Sequence, residues 1–588
     1  MLELAKIPYT LRGSMWKHHL MAQRILQCFL FAVLAVLVAA RLDAADTAIA
    51  RPSPTTVRDW QSRKYGMFIH FGLYSMLGGV WKGREFSGNY SEQIQSDAHI
   101  PSAEYAELAI RFNPDKWNPD AVVELAQDAG MQFIVLTSKH HDGFSMFHTG
   151  MSTFNVVDAS PYKRDIVKGL ADACARHHMP FGVYYSTIDW HFGDPPDRRN
   201  DNPISEVHEE FNVAQLRELM TGYGRISEIW FDMGHPTKLQ SKHFADTVHA
   251  SQPECLISGR VWNNQGDFME MGDDEIPDYI LDEPWESPAS IYQETWGYRS
   301  WLNRANLEKK IEEHILRLVA VVSRGGNYIL NIGPRGDGSV VEFEAAVLHG
   351  TGTWLKRNRE AIYGTQPQPF RKLDFGYATV KNDHLFLFVE HPPANGRLDL
   401  PGFQNHIRKA YVLGDPAQRL LNSDDTQDQK AVIAPASLGR EFLPVVVTEF
   451  DGEINVVQPA VAPGPENSII LTPETADRFY NTNGEGYYDS PTLRKEQWHF
   501  AVSRPGTYRI QVSYRPGKFA RLLDINLGGR VYKANLHGND PGPVTIGTIQ
   551  LGPSQDMTLT VSPASPAEIG GTLDVELDRI SLIPSASP

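Results

Sequence analysis

Residues 118–144 read NPDAVVELAQDAGMQFIVLTSKHHDGF, and the reading of this stretch decides the fold. Residues 118–130 make a helix. Asn118-Pro119-Asp120 supplies a cap and a first-turn proline, and Gly130 stops it. The apolar run 133–139, FIVLTSK, follows as a buried strand. His140, His141 and Asp142 come directly after it. Polar side chains at a strand's end are where α/β enzymes place their chemistry. Taken alone, these three serve equally as metal ligands, a proton relay or hydrogen-bonding groups for a polar ligand.

The same unit repeats outward in both directions. KYGMFIHFG (64–72) is a buried strand. The amphipathic helix 165–178 leads into PFGVYYS (180–186), and the helix 211–224 leads into SEIWFDMG (227–234). ECLISGR (254–260) is another strand. The long helix 307–326 closes on Gly325-Gly326 before NYILNIG (327–333). Continuous apolar strands alternating with helices are parallel strands covered by helices. Over roughly 300 residues this predicts an α/β fold of (β/α)8-like (TIM) barrel type. A doubly wound sheet is the alternative, and the lack of a Gly-rich phosphate loop after any strand weighs against it.

Beyond residue 365 the texture changes. YATVKNDHLFLFVE (377–390) alternates polar and apolar residues, as does the later run at 440–450. The Pro-rich 456–468 reads as a linker, and 496–517 opens a second β-rich stretch ending near 577–584. The expected organisation is a leader at 1–45, a barrel at 50–365, a β-sandwich at 366–460 and a second β-rich domain at 466–588. That last domain reads either as a stabilising sandwich or as a carbohydrate-binding module.

The leader has its own logic. ILQCFLFAVLAVLVAA (25–40) is a mostly apolar run of 16 residues, preceded by Lys17, His18, His19 and Arg24. That is the layout of a secretory signal peptide, and it is short for a span of about 20 residues. Cleavage near 40–46 predicts export to the periplasm or the extracellular space, with no stable membrane span afterwards and with Met21 as an alternative start. An N-terminal anchor is the competing reading. Outside the leader only Cys174 and Cys255 remain, and they read as two buried free thiols. A net charge of −16 argues against a nucleic-acid partner.

Five strands end in polar or aromatic residues, which packing alone explains poorly. They carry His70, the His140-His141-Asp142 group, Tyr185 with Trp190, Asp232, and Arg260. Asp232 interrupts an otherwise apolar strand, so it must be paired or hydrogen-bonded. A carboxylate so placed is suited to attack an anomeric carbon.

KYGMFIHFGLYS, the stretch from FNPDKWNPDAVV to KHHDGFSMF, FGVYYSTIDWH and IWFDMG together resemble the α-L-fucosidases of glycoside hydrolase family 29. PWESPASIYQETWGY (284–298), GGNYILNIGPRGDGSV (325–340) and TWLKRNREAIYGT (353–365) continue the likeness. It covers about residues 55–365. The resemblance implies a retaining exo-glycosidase that uses no metal and no cofactor and acts on a fucosylated oligosaccharide or glycoconjugate. It assigns the nucleophile to Asp232 and the sugar pocket to His70, His140, His141, Tyr185 (in preference to Tyr184), Trp230 and Arg260. Asp142 and Phe144 then shape the loop. Glu92 stands where the family has a sugar-touching Glu-Trp pair, but Gln93 follows it, and Trp81 is the nearest substitute ring. The general acid/base falls in GDFMEMGDDEIPDYILDEPWE (266–286). Glu286 of the PWE motif is the first choice, with Asp273, Asp274, Glu270 and Glu275 as alternatives. Two competing readings remain: a fucose-binding protein on a degenerate barrel, and a metal hydrolase. Adjacent histidines on a strand face opposite ways, which counts against the metal.

Overall fold

Eight parallel strands carry the apolar runs. They are β1 (Tyr65–Ile69), β2 (Ile134–Lys139), β3 (Phe181–Ser186), β4 (Glu228–Asp232), β5 (Leu256–Ile257), β6 (Met269–Glu270), β7 (Trp285–Ser290) and β8 (Asn327–Ile332). This computed structural model describes residues 49–585 except 194–201, 282, 427–428, 436–437, 439–440, 482–491, 516–520, 537–542 and 565–576. The expected signal peptide lies outside the described residues. All elements named here belong to the unit Pro52–Pro588.

Every residue of the eight strands is buried, as parallel strands covered on both faces require. β1 lies between β2 and β8, and neighbours otherwise follow chain order. A parallel bridge from Ser258 to Phe268 joins the end of β5 to the start of β6, with Asp267 N donating to Ile257 O at 2.7 Å. The sheet therefore curls into a closed eight-stranded barrel. A doubly wound sheet would leave β1 and β8 apart.

Six helices cover it: α2 (Pro119–Asp128), α3 (Ile166–Arg176), α4 (Glu206–Gly222), α5 (Lys238–Ser251), α6 (Leu307–Ser323) and α7 (Glu342–Asn358), after α1 (Pro54–Arg63). Four of the six starts carry a side-chain cap, the Asn118 cap that the sequence predicts and that of Ser205, which accepts from His208 N, among them, whereas α6 and α7 have none. Asn118 accepts from Ala121 N, Asp165 from Lys168 N, and Thr237 with Gln240 forms a capping box. Each such cap is worth about 1 kcal/mol. Among the described residues no α-helix lies between β5 and β6 or between β6 and β7; a 3-10 turn, Gly259–Val261, is all that fills the first gap. The barrel is (β/α)8-like with two helices replaced by loops, and those loops rise over the functional pocket.

Strand parity sorts the side chains. Met67, Ile69, Leu136, Val183, Tyr185, Ile229 and Phe231 face the helices. Phe68, Val135, Tyr184, Trp230 and Leu256 form a separate inner cluster, which Trp60 of α1 and Phe268 join. Register puts Tyr184 beside Trp230 and Ser186 beside Asp232.

Two antiparallel sandwiches follow. In the first, Gly376–Lys381, His384–Val389, Val445–Phe450 and Ile407–Val412 make one sheet, and Arg397–Asp399, Lys430–Ile433 and Asn422–Asp425 the other. Phe386, Phe388, Val445 and Val447 pack against the barrel's helical shell. The second pairs a four-stranded with a five-stranded sheet around Trp498, Phe500, Tyr508, Ile510 and Leu559. The five-stranded sheet has Asp477–Asn481 as an edge strand. Among the described residues no helix is long and apolar enough to cross a membrane.

Cys174 and Cys255 are free and buried, and burial pushes the Cys174 thiol up to about 12. A thiol-disulfide reagent at pH 8 should leave both unlabelled in the native protein and label both after denaturation. Rapid native labelling of either thiol would contradict this packing.

Candidate functional site

The carboxyl ends of the strands surround a cavity of about 250 Å³. That is just below the usual range of roughly 300–1,000 Å³ for drug-sized ligands, and it suits a single sugar ring. Asp232, the last residue of β4, stands in its wall. Its Oδ1 accepts from Arg260 Nη1 at 3.0 Å and its Oδ2 from Tyr184 OH at 2.7 Å. Burial raises the Asp232 pKa, opposed first by the Arg260 charge and then by the Tyr184 hydrogen bond.

Arg260 sits in the 3-10 turn after β5, where Glu270 Oε2 accepts from its backbone N at 2.9 Å. Its guanidinium lies 5.3 Å from the Trp230 ring, and its Nη2 donates to Asp273 Oδ1 at 2.9 Å. One cation therefore bridges two carboxylates that both line the cavity.

The histidines are neutral. Burial lowers His70 to about 4 and His141 to about 3, and holds His140 well below its ordinary value. Ser186 Oγ donates to the Ile188 carbonyl, so it accepts from His141 Nδ1 at 2.7 Å. Asn331 Oδ1 faces His70 Nδ1 at 2.8 Å, and Asn331 Nδ2 donates to the Trp296 carbonyl at 2.7 Å. Both Nδ1 atoms carry the proton, and both Nε2 atoms remain acceptors suited to ligand hydroxyls. His140 stacks on Tyr184 with ring centroids 5.3 Å apart.

Both histidines of the pair line the cavity. The expected division onto opposite faces does not occur, because β2 ends at Lys139 and both rings lie beyond the pleat. A turn follows, with Gly143 N donating to His140 O. Gly143 has φ +79°, and a Cβ there would sit 2.0 Å from Asp189 Oδ1, so the position requires glycine. Asp142 accepts from Tyr105 OH and Phe144 N, which places it in the loop's own framework. Among the described residues no cluster of three or more His, Cys, Asp or Glu is arranged to hold a metal ion.

His70, Glu92, His140, His141, Trp230, Asp232 and Arg260 all line one cavity. Tyr185 does not. Its hydroxyl lies 2.8 Å from both Asn212 Oδ1 and Gln215 Oε1 of α4, which share its one proton, and strand parity turns it outward; Tyr184 takes the place expected for it. Glu286 also lies elsewhere. As the second residue of β7 it is fully buried in the barrel, where its Oε2 accepts from Trp230 Nε1 at 2.8 Å. Glu270 is buried against Arg260 N, and Asp274 turns away to Ser290 N and Arg317. Glu275 and Trp81 are not among the lining residues either. Of the proposed acid/base positions only Asp273 reaches the cavity, and its side chain is 31% exposed.

The sequence reading missed Tyr90, Trp296, Phe68 and Asn89, which also line the cavity. Phe68 was legible: it lies two residues before His70 on β1 and so shares its face. Trp296 and Tyr90 lie in loops, where no periodicity signals direction. Glu92 Oε2 accepts from Gly297 N at 2.7 Å and Trp296 N at 3.3 Å, and burial raises its pKa to about 7.

Carboxylates set beside aromatic faces at the carboxyl end of a closed barrel are the equipment of acetal hydrolysis. The class so defined is that of the barrel glycoside hydrolases. The chain belongs to the α-L-fucosidase family, glycoside hydrolase family 29, whose profile matches residues 44–360. It is 30% identical over 371 residues to the human tissue α-L-fucosidase, covering 60% of this chain and 78% of that protein. The crystal structure of an α-L-fucosidase from Vibrio sp. strain EJY3 superposes with a TM-score of 0.68 at 25% identity, over 91% of this chain and 99% of that one. A trapped covalent intermediate of a Bacteroides thetaiotaomicron fucosidase, formed with 2-fluoro-fucosyl fluoride, superposes with a TM-score of 0.61 at 27% identity, over 69% of this chain and 98% of that one.

The raised pKa of Glu92 gives a stability prediction. The native state holds this proton up to about pH 7, whereas the unfolded chain releases it near 4.5. Native stability due to this group therefore falls as pH rises through that window. Relative to wild type, Glu92→Gln should have a melting temperature more favourable at pH 8 than at pH 5. A difference that does not change with pH would refute the protonated native form.

Proposed function

We propose that the protein is an exported, retaining exo-α-L-fucosidase in which Asp232 is the nucleophile and Asp273 the general acid/base. The observation that carries this is the placement of these two carboxylates in one sugar-sized cavity, bridged by Arg260. The trapped covalent intermediate of the Bacteroides relative supports the two-step route.

In the first step an Asp232 oxygen bonds to the anomeric carbon while the glycosidic C–O bond breaks. Asp273, in its acid form, gives its proton to the departing oxygen. In the second step Asp273 takes a proton from water, and the water oxygen displaces Asp232. L-Fucose leaves with retained configuration, and both carboxyls return to their starting states.

The other residues hold the sugar and the charge. Arg260 and Tyr184 hydrogen-bond to Asp232 and oppose the effect of its burial. His70 and His141 offer Nε2 acceptors to hydroxyls, and Trp296, Phe68 and Trp230 supply apolar faces for the C5 methyl. Export rests on the signal-like segment at 25–40.

Asp232→Asn should lower kcat on an aryl α-L-fucoside by about 10³-fold or more, the loss of some 4 kcal/mol of transition-state stabilisation. Asp273→Ala should be slow chiefly with sugar leaving groups and be rescued by azide, giving a fucosyl azide of retained configuration. Glu286→Gln should remain within about tenfold of wild type, because Glu286 acts only through Trp230. Fucose release at wild-type rates by Asp232→Asn would overturn the assignment. Tight fucose binding without any release by the wild type would instead indicate a non-catalytic lectin-like protein.

A further inference from the structure

The loop between β6 and β7, whose described residues are 271–281 and 283–284, occupies the place of a missing barrel helix and carries Asp273. Its near end is tied to the barrel. Asp273 accepts from Arg260, Asp274 N donates to Pro288 O, and the Asp274 carbonyl accepts from Arg317 at 3.0 Å. Its far end is tied to something else. Both Asp278 carboxylate oxygens lie 3.1 Å from Arg478 Nη1, and the Tyr279 ring stacks on Tyr480 with centroids 3.8 Å apart and planes at 23°.

Arg478 and Tyr480 belong to Asp477–Asn481, the edge strand of the second C-terminal sandwich. That strand is anchored from behind. Arg478 Nε donates to Glu496 Oε1 at 3.1 Å, and Glu496 is buried on the adjacent strand. Arg371, in the segment linking barrel and first sandwich, donates to Asp477 Oδ1 at 2.6 and 2.9 Å. The edge strand is thus fixed at two points and presents one ring and one guanidinium to the loop. An edge covered in this way is also shielded from pairing with other chains.

We propose that the second C-terminal sandwich is a clamp on the 271–284 loop, and that Tyr480 and Arg478 are positioning residues that set Asp273 at the sugar pocket. This rests on the reading of Asp273 as the acid/base. Tyr480 is the stronger element, because a stacked aromatic pair outweighs an ion pair whose Asp278 side chain is 72% exposed. Loosening the loop lowers the fraction of molecules with Asp273 in place, and it affects the step that needs a proton more than the binding of the sugar.

The test is kinetic and uses the full chain. Tyr480→Ala and Asp278→Asn are compared with wild type on a fucosyl disaccharide, whose leaving group needs protonation, and on an aryl fucoside with an acidic phenol, which does not. The clamp predicts for Tyr480→Ala a fall of about tenfold in kcat/KM on the disaccharide and less than about twofold in kcat/KM on the aryl substrate, because kcat/KM reports the first step, in which only the disaccharide's leaving group takes a proton from Asp273. Asp278→Asn should show a smaller loss of the same kind, and Tyr480→Phe, which keeps the stack, should restore the wild-type values. Where Asp273→Ala itself is impaired, equal losses on both substrates, or none on either, would overturn the positioning of Asp273 by the clamp. Hydrogen exchange of the 271–284 backbone supplies a readout independent of Asp273. It should speed up in Tyr480→Ala, and unchanged exchange would overturn the clamp whatever Asp273 does. Wild-type rates on both substrates for Asp273→Ala, together with faster loop exchange in Tyr480→Ala, would remove the acid/base reading and leave the clamp standing.

Discussion

The pocket depends on one guanidinium. Arg260 bridges Asp232 and Asp273 in a space where the neighbouring imidazoles are neutral, so it is the cation that faces both carboxylates. Burial by itself drives a carboxylate to take up a proton, and the role proposed for Asp232 needs the ionised form. The Arg260 charge is the largest force opposing that in this structure. It is available because β5 is only two residues long and gives way at once to the 3-10 turn Gly259–Val261. A full strand and helix at this place would carry the chain away from the barrel mouth. The missing helix and the placement of the cation are one structural fact.

Much of the frame was legible in the sequence, for a definite reason. Strands buried on both faces must be apolar throughout, and amphipathic runs mark helices, so β1 to β5, β8 and the helices α2, α3, α4 and α6 could be read directly. The rest of 254–284 has neither signal. Beyond the strand at 254–260 the sequence reading placed no element there, and among the described residues no α-helix lies between β5 and β7. Tyr184 and Tyr185 show how a finer rule was available. Side chains alternate along a strand, so the tyrosine that faces Asp232 must share a face with Ser186, and that is Tyr184. The same rule misleads at His140 and His141, because it expires where the strand does. Glu286 shows a third limit. A motif match fixes the residue type, whereas depth along the strand decides whether the carboxyl reaches the cavity or stays beneath it.

That depth gives Glu286 a different use. The barrel interior is layered, and the layer under the pocket holds Glu228 and Glu286 with the indoles of Trp60 and Trp230. Burial, reinforced by the charge of Glu228, holds Glu286 well above the usual carboxylate range, while burial raises Glu228 to about 7. Two ionised carboxylates in such a place would repel each other across an apolar medium, so the pair retains a proton. Each carboxyl nevertheless accepts an indole N–H, and the bond from Trp230 fixes the ring on which the Arg260 guanidinium rests at 5.3 Å. Order thus passes upward from Glu286 to Trp230, from Trp230 to Arg260, and from Arg260 to Asp232. The PWE glutamate is linked to the pocket through three contacts, and the proposed acid/base, Asp273, is carried by the loop above.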